Sequence, residues 1–158
     1  MVREILRLGN PALYEKSAPV TNDELERMRA VAVDLRDTLL DYRKRHQAGR
    51  AIAAPQIGVQ KRMIYLQTDQ TIVLINPVLS FPDGEQMEVL DDCMSFPGLL
   101  VRVMRFKRCT VRFRDLEWNE QKLYFEGDLA ELLQHEYDHL DGMLATMRAV
   151  DNRSFFFV

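Results

Sequence analysis

The sequence predicts one domain, residues 1–158, in which helical segments flank a strand-rich middle. Three observations predict it. Apolar residues repeat at three and four positions in the first third. β-rich runs separated by turn residues fill the middle. A second helical pattern begins near Asp128. At 158 residues the chain is long enough to bury a core, and it shows no internal repeat, low-complexity stretch or linker.

The elements follow in order. Thr21 and Glu24 have capping-box spacing and open a helix that runs to about Gln47. Its inward stripe is Leu25, Met28, Ala32, Leu35, Leu39 and Tyr42. The cations Arg43, Lys44, Arg45 and His46 suit the last turn and read as a solvated helix end, just before Gly49. From about Gln60 to Phe125 the runs Met63–Leu66, Thr71–Ile75 and Cys109–Phe113 read as strands. Turns are expected at Asn76-Pro77, Pro82-Asp83-Gly84 and Asp115. The second helix starts near Asp128, where Asp128 and Glu131 repeat the cap spacing. The apolar run Phe155–Val158 is expected to pack on the body or on a partner.

Composition excludes several classes. The net charge of −3, with 21 Lys+Arg against 24 Asp+Glu, argues against a nucleic-acid binder driven by bulk charge. Charges interrupt Met1–Arg7, so no signal peptide is expected there, and no apolar run is long enough to span a membrane. Two cysteines do not make a disulfide framework, and a cytoplasmic location is expected.

The chemistry concentrates in Gln134-His135-Glu136-Tyr137-Asp138-His139-Leu140. Histidine occurs three times in the chain, and two of the three fall here. His135 and His139, four apart, leave one face of a helix and can grip one metal ion. Glu136 can then act as general base toward a water at the open position of that ion. A third ligand is needed. Cys93 is the best candidate because it stands in a polar, turn-rich stretch, Leu90 to Gly98, and a thiolate completes a His₂Cys set. Cys109, inside a strand run, reads as a buried small residue, and His46 as an exposed helix-end residue. The stretch Gly49 to Gly58 is rich in small residues and carries the uncharged amide of Gln56. Alone it reads as a loop feeding a strand.

Gly49–Gly58, Asp91–Ser95 and Gln134–Leu140 together resemble the peptide deformylase family, as do Asn10-Pro11-Ala12-Leu13 and Ala18-Pro19-Val20 near the start. The resemblance covers essentially the whole chain. It implies an α+β fold, with mixed, mostly antiparallel strands around a central metal-binding helix. It implies a metal site of Cys93, His135 and His139, with iron(II) as the native ion and zinc, nickel or cobalt able to substitute. It implies hydrolysis of the N-formyl group from the N-terminal methionine of nascent peptides, at the ribosome, with no specific nucleic acid and no membrane as partner. Glu136 would move the proton. Gln56 and the backbone N–H of Met94 would hold the oxyanion. Losing one such donor typically costs about 3–4 kcal/mol of transition-state stabilisation.

Several positions depart from the family pattern. Asp91-Asp92-Cys93-Met94-Ser95 stands where the family has E-G-C-L-S, so Asp91 is a shortened carboxylate expected to pair with Arg105. Asp92 puts a charge where peptide backbone is expected. Arg50 replaces an apolar residue, Ala51 replaces Gly, and Glu131 replaces an apolar residue or Arg. With Ile52, the residues Arg50, Ala51 and Asp92 form the expected substrate rim, and Arg50 is expected to pair with Asp92. Two alternatives stand beside the active deformylase: a related amide hydrolase with another N-acyl or charged substrate, and a catalytically silent relative. A zincin-type peptidase would need a third ligand downstream of His139, where only Asp141 and Asp151 are on offer.

Overall fold

The computed structural model describes residues 1–158. Helix α1 spans Leu25–His46 and α2 spans Asp128–Leu140. The strands are β1 Ala51–Ala53, β2 Met63–Gln67, β3 Thr71–Ser80, β4 Gln86–Asp91, β5 Leu99–Phe106, β6 Arg108–Arg114, β7 Glu120–Glu126 and β8 Phe155–Phe157. They form a five-stranded sheet in the order β1-β2-β3-β6-β7 and a three-stranded sheet in the order β4-β5-β8. Every strand pair is antiparallel. This is the expected α+β class.

Period-two alternation explains why the large sheet takes a helix on each face. Ile52, Met63, Tyr65 and Ile75 point to one side and pack with Met28, Val31, Leu35 and Leu39 of α1. Their neighbours Ala51, Ala53, Ile64, Leu66 and Leu74 point to the other side and pack with Ala130, Leu133 and Leu140 of α2. Strand β2 is therefore apolar on both faces. Burying each such large side chain contributes about 1.5–3 kcal/mol. A third cluster, under the small sheet, joins Leu13, Phe96, Val101, Val103 and Leu144 to Cys93. Helix α2 thus lies between the large sheet and the segment that carries Cys93. No helix is long and apolar enough to cross a membrane.

Several local expectations need correction. Thr21 and Glu24 do interact, with Thr21 N–H donating to Glu24 Oε1 at 2.9 Å, but they open a short 3-10 turn that leads into α1. Helix α2 is preceded by Gly127 (φ 63°, ψ −133°) with no side-chain cap, so Asp128 is the first helical residue rather than the cap. That backbone conformation is strained for a residue with a Cβ, and glycine adopts it freely. No turn occurs at Asn76-Pro77. Strand β3 runs through both residues with a bulge between Ile75 and Val78, where Asn76 takes φ 51° and exchanges two 2.8 Å hydrogen bonds with Val20. The small-residue stretch is strand β1 followed by a 3-10 turn over Ala54–Ile57 rather than a loop. Arg43 is not solvated with its neighbours. Its guanidinium donates to the carbonyls of Gly49 and Gln67, each at 2.9 Å. The run Phe155–Phe157 packs on the body as β8, but through backbone pairing with Leu99–Val101, and its side chains are exposed.

Candidate active site and metal centre

Cys93, His135 and His139 come together in the interior, and their ligand atoms all lie within 4.8 Å of one another. The helix supplies the two imidazoles from successive turns of one face. The turn after β4 supplies the thiol, whose Sγ lies 3.4 Å from His139 Nε2. His135 turns its Nδ1 to Asp91 Oδ2 at 2.9 Å, which leaves its Nε2 free for a metal. Three buried donors with no bulk between them, one soft and two borderline, fit a divalent transition ion. Asp141 is engaged with Arg62 at 3.0 Å and Asp151 with its own turn, so neither joins this set.

Charge is arranged in layers behind the ligands. Arg105 bridges Asp91 at 2.7 Å and Asp138 at 2.6 Å, and all three side chains are buried. The expected Asp91–Arg105 pair is therefore present. Arg148 closes the far side by donating to both oxygens of Asp138, at 2.6 and 2.9 Å. Burial alone would raise the Asp91 pKa, but His135 and Arg105 outweigh it and hold the carboxyl well below the usual range. Burial likewise opposes charge on His135, yet Asp91 and Cys93 push its pKa well up. Burial and the neighbouring His135 push His139 down.

Glu136 sits beside the cluster, 3% exposed, and its Oε2 has no hydrogen-bond partner. Burial pushes its carboxyl up to about 7. Gln56, buried in the 3-10 turn after β1, is fixed through Oε1, which accepts from Ala53 N–H at 3.0 Å. Its amide nitrogen faces Ser95 Oγ at 3.1 Å and Cys93 Sγ at 3.6 Å. Met94 follows the cysteine, and its backbone N–H makes no hydrogen bond within the protein. Gly49 (φ 118°) keeps this wall close, since a Cβ there would stand 3.3 Å from Leu39 and Tyr42.

The rim residues divide. Arg50, Ala51 and Asp92 line one cavity with Cys93, Met94, Glu131, His135 and Glu136. Ile52 does not, because strand alternation turns its side chain into the core against α1. Arg50 is not paired with Asp92. Its guanidinium reaches toward Glu131, at 3.9 Å, while Asp92 is exposed. Burial, and then the facing Asp91 carboxylate, push Glu131 up to about 8. His46 is exposed and stacks on Tyr42. Cys109 is buried in β6, and burial pushes its thiol up to about 11, which makes it inert. Sequence reasoning missed Arg148 and the role of Ser95. Ser95 stood inside a segment already singled out, whereas nothing near Arg148 in sequence marks it as the clamp on Asp138.

The model of the family described as polypeptide deformylase matches residues 2–154. The chain belongs to this family. Its members are metal-dependent hydrolases that remove the N-formyl group from nascent peptides. The peptide deformylase of Dictyoglomus thermophilum is 38% identical over 152 residues, covering 96% of this chain and 95% of that protein. Peptide deformylase 1 of Prochlorococcus marinus is 39% identical over 170 residues, covering 99% and 85%. Among solved structures, the peptide deformylase of Thermotoga maritima superposes with a TM-score of 0.87 at 28% identity, over 96% of this chain and 99% of that one. That of Synechococcus elongatus in complex with actinonin gives 0.88 at 27% identity, over 96% and 81%.

Proposed function

We propose that this deformylase acts on formyl-Met peptides as they leave the ribosome in the cytoplasm, with residues 1–158 as one catalytic domain. The observation that carries the reading is the meeting of three buried donors, Cys93, His135 and His139, beside a buried carboxyl, Glu136, whose Oε2 has no partner. Cys93 Sγ and Nε2 of His135 and His139 would hold the ion, iron(II) by family resemblance, with zinc, nickel or cobalt as substitutes. When bound, it supplies Lewis acidity that makes water nucleophilic near neutral pH.

The remaining work falls to the chain. Glu136 accepts a proton as water adds to the formyl carbon. When the C–N bond breaks, Glu136 returns that proton to the leaving amine, so formate and a free N-terminus result. A carboxyl pushed up to about 7 is suited to both transfers. Gln56 Nε2–H and Met94 N–H donate to the formyl oxygen as it gains charge. Asp91 holds the His135 ring in one orientation, and Arg105 holds Asp91.

The test is formate release from formyl-Met-Ala-Ser by protein purified anaerobically with iron. Steady turnover is expected from the wild type. Cys93→Ala should lose both metal and turnover. An iron-loaded wild type that releases no formate would sink the reading, and unchanged metal stoichiometry in Cys93→Ala would sink the ligand assignment.

A further inference from the structure

The formyl carbon has to lie against Gln56, Met94 N–H and Glu136. The residue bearing the formyl group therefore projects its side chain into the cavity that shares Met94 and Glu136. That cavity has apolar lining from Tyr42, Ala51, Met94 and Leu132 and polar lining that includes Glu131 and Arg50. Glu131 leaves α2 one turn before His135, and its side chain is 14% exposed. Arg50 stands at the mouth with 46% of its side chain exposed, and at 3.9 Å it does not seal the carboxyl off. Asp92, also on this lining, adds an exposed carboxyl. Asp91 is already engaged by His135 and Arg105, so it offers little to a ligand. An entering side chain thus meets both apolar surface and the largely buried Glu131 carboxyl.

We infer that Glu131, gated by Arg50, is a specificity-determining residue that admits formyl-peptides whose first side chain is long, apolar along its stem and tipped with a hydrogen-bond donor, alongside formyl-Met. This rests on the proposed deformylase reading of the same site. The stem of a lysine matches the apolar walls, and its ammonium reaches the carboxyl. Arg50, partly exposed and loosely held, swings out to solvent to make room. Methionine uses the same walls and leaves the carboxyl to Arg50.

The test compares formyl-Lys-Ala-Ser with formyl-Met-Ala-Ser on the iron-loaded protein. Glu131→Leu should lower the Lys/Met ratio of kcat/KM by about tenfold or more. Glu131→Gln, which keeps the size of the side chain and an acceptor oxygen, should lower it by less. Arg50→Ile should raise it, because a competing cation is removed. A ratio unchanged within about twofold in Glu131→Leu overturns the inference. Binding of the product peptides Lys-Ala-Ser and Met-Ala-Ser gives a second readout that needs no turnover. There Glu131→Leu should weaken the lysine peptide selectively, and equal effects on both peptides overturn the inference. If neither formyl peptide yields formate while the product peptides are still discriminated, the deformylase reading fails and the role of Glu131 stands.

Discussion

At Glu136 two forces oppose each other. Burial pushes the carboxyl up to about 7, and a cation held by Cys93, His135 and His139 pulls it back down. The base must be deprotonated to work, so kcat/KM should fall as pH drops, along a limb with its midpoint at or below about 7. Glu136→Ala should keep metal and fold yet lose nearly all turnover. A pH–rate series on both proteins checks this, and wild-type turnover in the variant would rule out the proton-transfer role. Asp91→Asn tests the layer behind. It leaves Arg105 buried with half its charge uncompensated, a change that costs about 3–5 kcal/mol, and it loosens His135, which should weaken metal affinity by roughly 10–100-fold. Denaturant unfolding and metal titration measure the two effects. The His pair, Cys93 and Gln56 were legible in sequence because each stands in a short motif whose residue types already imply its chemistry. The Arg50–Glu131 approach and the Arg148 clamp were not. They join residues from separate elements, and only tertiary packing brings them together.

The segment before the first 3-10 turn forms no strand of either sheet, yet it crosses the site. Leu6 N–H donates to the Gln56 carbonyl at 2.8 Å and Leu8 N–H to the Ser95 carbonyl at 2.9 Å. One extended piece thereby sets the spacing of the two segments that carry Gln56 and Met94. Leu8→Pro removes one of these donors. A net hydrogen bond is worth about 0.5–1.5 kcal/mol, so kcat should fall roughly two- to tenfold. Metal content and KM should change little. Steady-state kinetics with metal analysis decides it, and a loss confined to KM would mean that the segment binds peptide instead. Both helices were legible because their apolar stripes are long and regular. Strand β1 was not, since three residues, Ala51 to Ala53, are too short a run to show a period. The bulge in β3 was misread because Asn-Pro is a turn signal locally, while pairing with β2 and β6 on either side overrides it.

For the molecule as a whole, the metal ligands come from different layers. Cys93 belongs to the turn after the small sheet's β4, and His135 and His139 to a helix packed on the large sheet. An ion bound there ties the two sheets together and binds only the folded chain. At about a thousand times its Kd it would contribute roughly 4 kcal/mol. At about 2–4 °C per kcal/mol for a chain of this size, chelation should lower Tm by on the order of 10 °C. Calorimetry with and without chelator checks this, and Glu136→Ala should show the same difference, because Glu136 is no ligand. Equal Tm values with and without metal would mean that the layers hold together unaided.

Ligands drawn from separate layers also impose an order in time. A chain is synthesised from its N-terminus, so Gln56 and Cys93 emerge well before His135 and His139. Until α2 has formed and docked, the thiol lacks the imidazole neighbours it has in the finished protein. Metal uptake is therefore a late event in biogenesis. The newborn chain passes through an interval in which Cys93 is open to oxidation, and that interval closes only when the helix seats.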